Sequence, residues 1–212
     1  VRKLLQRYEI HAKAISCHQF NEVSRIKRVL TDIDSGISIA LVSNAGMPCI
    51  SDPGARIISA CRKHGVGISV IPGASSVTAA IALCGFGGDR FLFEGFLSRK
   101  KNARKRRLTE LQRLSYPVVL FESPYRCLDL LVDLHTIFGN RTVFLARELT
   151  KINEECLWGT ALELHDKFLG RSNQYMLQAA LTKHKAGARS VKGEIVFVIA
   201  PASKCELKTT TS

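Results

Sequence analysis

Residues 37–73 read ISIALVSNAGMPCISDPGARIISACRKHGVGISVIPG. Ile37 to Val42 is an apolar run of strand length, and Ser43 to Gly54 is a loop rich in Gly, Pro and Ser. Ala55 to His64 carries its apolar side chains at helical spacing and stops at Gly65. Gly67 to Ile71 is a second apolar run, ending at Pro72-Gly73. Strand, loop, helix, strand is the βαβ pattern, which predicts a mostly parallel sheet covered by helices.

The same alternation extends in both directions. Asn21 to Ser35 places Val23, Ile26, Val29, Leu30 and Ile33 on one helical face, and Gly36 ends it. Ala74 to Cys84 predicts a helix of small residues. GFGGDR (85–90) breaks the pattern and reads as a hinge between two lobes. Beyond it come a strand at 91–97, a basic helix from about Asn102, a buried strand at 117–121, and a helix from Cys127 to Phe138. A strand at 142–146, a helical region over roughly 160–186 and a last strand at 194–200 follow. The expected organisation is an α/β protein with lobes at 1–88 and 89–201 and a frayed polar tail at 202–212.

Composition narrows the function classes. The 212 residues are 46% hydrophobic and 23% charged, a globular balance that excludes a disordered tail or a fibre. The longest apolar runs are strand-sized, well short of the roughly 20 residues of a membrane helix. Lys and Arg total 31 against 18 acids, for a net +13. Residues 98–113 (SRKKNARKRRLTELQR) hold eight of those bases and one acid. So local an excess points to a polyanionic partner, nucleic acid before membrane or small anion. Seven cysteines, at 17, 49, 61, 84, 127, 156 and 205, show no CxxC spacing. They read as reduced thiols of a cytoplasmic protein, with neither a disulfide framework nor a metal site. The first residue is Val1, so a segment upstream of it is expected.

Three loops follow strand-like runs: SNAGMPCISDPG, PGASS and ESPYR. In α/β sheets ligands sit beyond the carboxyl ends of strands, and such loops let backbone amides approach them closely. The wording ALVSNAGMPCISDPG (40–54), IPGASSVTAA (71–80), DRFLFEGFLSRK (89–100), FESPYR (121–126), ARELTK (146–151) and KGEIVFVI (192–199) resembles the ribosomal RNA small subunit methyltransferase I family. That family lies in the tetrapyrrole-methylase-like superfamily of class III methyltransferases. The resemblance implies a two-lobed fold with the donor cleft between the lobes and S-adenosylmethionine as donor. It also implies a homodimer that methylates the 2'-hydroxyl of a cytidine in the decoding region of 16S rRNA, free or in the assembled small subunit. The rival readings are a porphyrin or corrin methyltransferase and a non-catalytic RNA-binding remnant. Where the family reads Ser-Asp-Ala-Gly-Thr-Pro, this chain has Asn44 and Met47 in place of the Asp and Thr.

The resemblance carries site residues with it. The donor loop maps onto Ala45, Gly46, Met47 and Ile50. Ser75 and Ser76 open a helix, where they cap it or hold a carboxylate. Glu122 and Ser123 leave a strand, the acid being either an ion-pair partner or a neighbour of the donor. Gly193 and Glu194 open the last strand and line the adenine pocket. For a base, the acids in family motifs are Asp52, Glu94 and Glu148, with Glu154 beside them; no spacing rule selects among them, and the resemblance implies an equal candidate in a Glu-Asp-Thr-Arg stretch upstream of Val1. Arg90, Arg99, Lys100, Lys101, Arg104, Lys105, Arg106, Arg126 and Lys151 suit RNA phosphates. Arg126 and Arg147 are equally suited to pairing with Glu122 and Glu148. Trp158 reads as core or dimer contact.

Overall fold

The computed structural model describes residues 1–168 and 193–203 and separates into two compact units, Val1–Ser75 and Ser76–Ser212. The helix expected at 74–84 belongs, from Ser76, to the second unit. Part of the helical region expected over 160–186, and most of the tail, lie outside the described residues.

The first unit contains three helices: α1 (Arg2–Arg7), α2 (Glu22–Asp34) and α3 (Ala55–Lys63). α2 and α3 pack together through one buried acid. The Glu22 carboxylate accepts hydrogen bonds from the backbone N–H of Gly54 (3.0 Å), Arg56 (2.7 Å) and Ile57 (3.4 Å). It thereby satisfies the donors that the start of α3 leaves without helical partners. The runs at 37–42 and 67–71 correct the sequence expectation, because neither joins a ladder. Apolar alternation marks a segment fit for a sheet, but a strand exists only where a neighbour takes its backbone hydrogen bonds. Leu41 and Ile68 are half-buried, but Ile37, Ile39, Val42, Val70 and Ile71 remain in solvent, Ile71 to 88%.

The second unit is built on a five-stranded sheet of order β1-β2-β5-β3-β4. The strands are β1 (Leu92–Phe96), β2 (Val118–Glu122), β3 (Thr142–Arg147), β4 (Glu155–Thr160) and β5 (Ile195–Ile199). Each of the links β1-α5-β2 and β2-α6-β3 returns the chain in the same direction, through α5 (Lys101–Leu111) and α6 (Cys127–Phe138). β5 then inserts antiparallel between β2 and β3, and β4 pairs antiparallel with the far side of β3. The sheet is therefore mixed rather than mostly parallel. The expected βαβ direction is present, and the last strand to enter splits it.

β5 is buried along its whole length. Its side chains divide between two cores. Ile195, Phe197 and Ile199 meet α5, α6 and the helical residues 161–168, through Leu108, Leu111, Leu130, Leu134 and Leu164. Val196 and Val198 meet α4 (Ser76–Cys84) on the opposite face, with Val77, Ala80 and Ile81. β4, which the periodicity missed, is an edge strand whose Trp158 is exposed and rests 6.4 Å from Phe86.

Candidate functional site

The strand directions collect one rim. Glu122 and Arg147 both stand opposite Ile195, Arg147 also faces Glu155, and Phe96 faces Phe121. The C-terminal ends of β1, β2 and β3 thus meet the N-terminal end of β5. Glu122, Ser123, Arg126, Glu148, Lys151, Gly193 and Glu194, drawn from three sequence motifs, converge there.

Glu122 ends β2 with 2% exposure. Its Oε1 accepts from the Ser123 N–H at 2.7 Å. Arg126 Nη2 lies 3.0 Å from Oε2, an ion pair, although Oε2 receives no hydrogen bond of good geometry. The same Nη2 points to the carbonyls of Leu97 (3.2 Å) and Ser98 (3.3 Å). Arg126 therefore ties the loop after β2 to the end of β1, which is the pairing alternative rather than the phosphate contact. Cys127, next along, is pushed up to about 12 by burial and then by the Glu122 charge. Burial likewise raises Cys17, Cys49, Cys84 and Cys156, so none of these five thiols is an activated nucleophile.

Beside it lies a knot around Glu148. Its Oε1 accepts from Lys151 Nζ (2.9 Å) and from the Glu194 N–H (2.8 Å), and Lys151 also reaches Glu194 Oε2 at 3.1 Å. The Lys151 hydrogen bond, then the Glu194 amide, hold the Glu148 carboxyl below its ordinary range, and Lys151 is raised in return, chiefly by Glu148. Glu148 and Thr150 adopt left-handed backbone (φ 50° and 64°), which is costly outside glycine. At Gly193 (φ 115°) a Cβ would sit 2.5 Å from Glu148 Cγ, so only glycine lets the two segments close. Glu154 completes the turn by accepting from the Thr150 N–H. Lys151 is thus a latch within the fold.

The basic helix presents only part of its charge. Arg104 is 5% exposed and is set against Asp133, with Nε and Nη2 at 2.7 and 2.6 Å from Oδ2. This corrects its assignment to RNA: a guanidinium buried under the helix cannot meet a phosphate in solvent. Lys105 stands 3.5 Å from Asp133. Arg107 holds Glu94 through two 2.8 Å hydrogen bonds and Glu110 through one of 2.7 Å, and those carboxylates raise its pKa, Glu94 foremost. Arg99, Lys100, Lys101 and Arg106 remain exposed, the last three bordering a shallow depression with Asn102 and Ala103. Arg90 lies over the Tyr116 ring, 5.1 Å from its centroid.

In the first unit the two glycine-bearing loops touch. Ser43 Oγ donates to the carbonyls of Ala45 (3.0 Å) and Gly46 (2.6 Å), pinning a turn in which Gly46 has φ 72°. A Cβ at Gly46 would meet Ala74 O at 3.4 Å, and one at Gly73 would meet Met47 Sδ at 3.3 Å. Ile50 is exposed, and Asp52 is half-buried without a hydrogen bond or ion pair among the described residues. Sequence reasoning missed Glu22, Asp133 and Arg107. Asp133 carried a signal, since an acid stands within the stripe of Leu130, Leu134 and Phe138.

Comparison with known proteins adds three findings. Residues 1–165 match the model of the Tetrapyrrole (Corrin/Porphyrin) Methylases. The chain is 42% identical over 165 residues to a ribosomal RNA small subunit methyltransferase I of Thermotoga maritima, covering 78% of this chain and 74% of that one. It is 41% identical over 174 residues to the protein of that name from Xylella fastidiosa, covering 82% and 64%. Against several other curated relatives it spans little more than half their length. Among solved structures it is similar to the methyltransferase CobJ (TM-score 0.57, 18% identity, 85% and 72% of the two chains). It is also similar to a uroporphyrin-III C-methyl transferase from Thermus thermophilus complexed with S-adenosyl homocysteine (TM-score 0.51, 14% identity, 84% and 70%).

Proposed function

The chain belongs to the tetrapyrrole methylase family, grouping there with the ribosomal RNA small subunit methyltransferase I proteins. From that premise we propose that it methylates the ribose 2'-hydroxyl of a cytidine in the decoding region of small-subunit ribosomal RNA. The observation that carries this reading is the 42% identity sustained across 165 residues. The exposed bases of 99–106 support a polyanionic acceptor.

S-adenosylmethionine, when bound, supplies a methyl carbon made electrophilic by its sulfonium. The chain's own task is to hold and align the reactants, since a well-aligned approach at about 3–3.5 Å supplies much of the rate. In the first unit we assign Ala45, Gly46, Met47, Ile50 and Ser75 to the donor. Gly46 and Gly73 fit that role: Gly46 needs the left-handed backbone of its turn (φ 72°), and a Cβ at Gly73 would press on the Met47 side chain of the facing loop. Met47 can keep a backbone contact that needs no side-chain oxygen. In the second unit we assign Ser76, Glu122, Ser123, Gly193 and Glu194. Glu122, buried and 3.0 Å from Arg126 Nη2, would act on the donor by fixing the loop that carries Ser123.

Of the four acids considered as base, Glu94 is held by Arg107, Glu148 by Lys151, and Glu154 accepts from the Thr150 N–H within its own turn. Asp52 has no such cation, and we assign to it the proton of the ribose hydroxyl. Arg99, Lys100, Lys101 and Arg106, with Arg90 and Lys105, take the phosphates, while Arg126 and Lys151 position the loops. The active form is proposed as a cytoplasmic homodimer acting on free or assembled small-subunit RNA.

The test is methyl transfer from labelled S-adenosylmethionine to small ribosomal subunits, followed by mass mapping of the product. A 2'-O-methylcytidine is expected. Label on a base, or label only on a tetrapyrrole, overturns the reading. Reversing Arg99, Lys101 and Arg106 to Glu should also flatten the salt dependence of RNA binding, by roughly 0.7–0.9 in log–log slope per lost contact.

A further inference from the structure

Phe96 sits where a regular strand would not put it. β1 pairs Phe93 with Val119 and Gly95 with Leu120, so Glu94 is an extra residue with no partner in the ladder. Gly95 takes φ 74°, the left-handed backbone that such a bulge requires. Without the bulge Phe96 would share a face with Leu92, toward the core of α5 and α6. With it, Phe96 turns to the other face beside Phe93, and both rings contact Phe121, at 5.6 and 5.0 Å between centroids. Phe93 and Phe121 are partly buried against the second core, whereas Phe96 remains 58% exposed. A large aromatic ring is thus backed by a second ring and held out of the core by a bulge.

Its neighbours fix what it is suited to meet. The chain runs from Phe96 through Leu97 and Ser98, whose carbonyls Arg126 grips, straight into the exposed Arg99, Lys100 and Lys101. An exposed ring joined by a pinned dipeptide to a row of cations is the arrangement that binds single-stranded nucleic acid. Cations follow the phosphates while a base stacks on the ring. We propose that Phe96 is the stacking platform for an unpaired base of the RNA substrate. The Gly95 bulge aims the ring, and Arg126 fixes its distance from the phosphate-binding row. The proposal rests on the RNA reading above and adds to it that the acceptor strand is splayed open rather than paired at this point.

The experiment compares binding of a fluorescein-labelled short oligocytidine with binding of an abasic sugar-phosphate strand of equal length, using the intact chain. Phe96→Ala and Phe96→Leu should each weaken oligocytidine binding by roughly 5- to 100-fold, and Phe96→Trp should restore it. Affinity for the abasic strand and the salt slope should stay as in the unmodified protein. Phe96→Leu guards the test, because it keeps apolar bulk on Phe121 and near-UV circular dichroism reports its fold. Unchanged oligocytidine affinity in both variants overturns the platform, as does an equal loss on the abasic strand. Sedimentation showing that Phe96→Ala abolishes a dimer would assign the ring to a second copy and overturn it too. If the unmodified protein binds neither strand and methylates no ribosomal RNA, the functional reading itself fails. Methylation with an indifferent Phe96 sinks only the platform.

Discussion

Val1–Ser75 and Ser76–Ser212 contain similar apolar runs and treat them in opposite ways. In the second unit Val118–Leu120 and Ile195–Ile199 disappear into a paired sheet between two helical layers. In the first, Ile37, Ile39, Val42, Val70 and Ile71 are exposed. There the buried residues are four: Glu22, Gly54, Ile57 and Cys61. The second unit is held by area removed from water, distributed over many side chains. The first leans on a single carboxylate that closes a helix end. A sheet sums many large apolar contributions, whereas a single polar tie supplies only its own.

The hardest blow to the second unit is Phe197→Ala. Phe197 is fully buried in the centre of β5, and its truncation should cost about 3–5 kcal/mol. A urea titration followed by near-UV circular dichroism checks the value. Amide exchange in the same chain should find β5 the most protected and 37–42 among the fastest. Slow exchange at 37–42 would break the comparison. A smaller loss, about 1–3 kcal/mol, is expected from Glu22→Ala, which leaves three backbone donors without their acceptor. It should speed exchange at Gly54, Arg56 and Ile57 and leave β5 protection as it was.

The smallest effect concerns pH. Glu148 has a folded pKa below its unfolded one, so it adds stability above about pH 4.3 that is lost as pH falls through the folded value. Lys151 runs the other way, its contribution present below about pH 10.4 and lost as pH rises through its raised value. Glu148→Gln should therefore make the acid limb of the stability curve shallower. Urea midpoints across roughly pH 3 to 6 measure it. An identical acid limb in the variant would show that the knot adds nothing.

Much of the second unit was legible because its strands are buried on both faces and read as continuous apolar runs. β2, β3, β5 and α6 fall within a residue or so of where periodicity puts them. β4 was missed because ECLWGT mixes an acid, an exposed Trp158 and a glycine, the pattern of an edge. The order of pairing was hidden as well, since nothing local in EIVFVIA tells that it enters between β2 and β3. At the rim, motif wording named Glu122, Glu148, Lys151 and Glu194 and left Arg126 open between a phosphate and Glu122, but gave no sign that Lys151 bridges Glu148 and Glu194. Arg104 was misread because a charge count ignores helical face. It stands four and seven residues before Leu108 and Leu111, on the stripe that packs inward.

The bulge in β1 also bears on how such chains change length. Glu94 has no partner across the ladder, so a one-codon deletion there would leave Leu92, Phe93, Phe96 and Leu97 on the faces they already occupy. The sheet would register no frameshift in its pattern of inside and outside. What would vanish is the carboxylate that engages Arg107 through two hydrogen bonds, and with it a counter-ion at the edge of the basic helix. A lineage could therefore gain positive surface charge by losing a residue instead of substituting one. Comparisons of relatives should accordingly allow a gap at this position, where a gap moves charge and leaves the architecture alone.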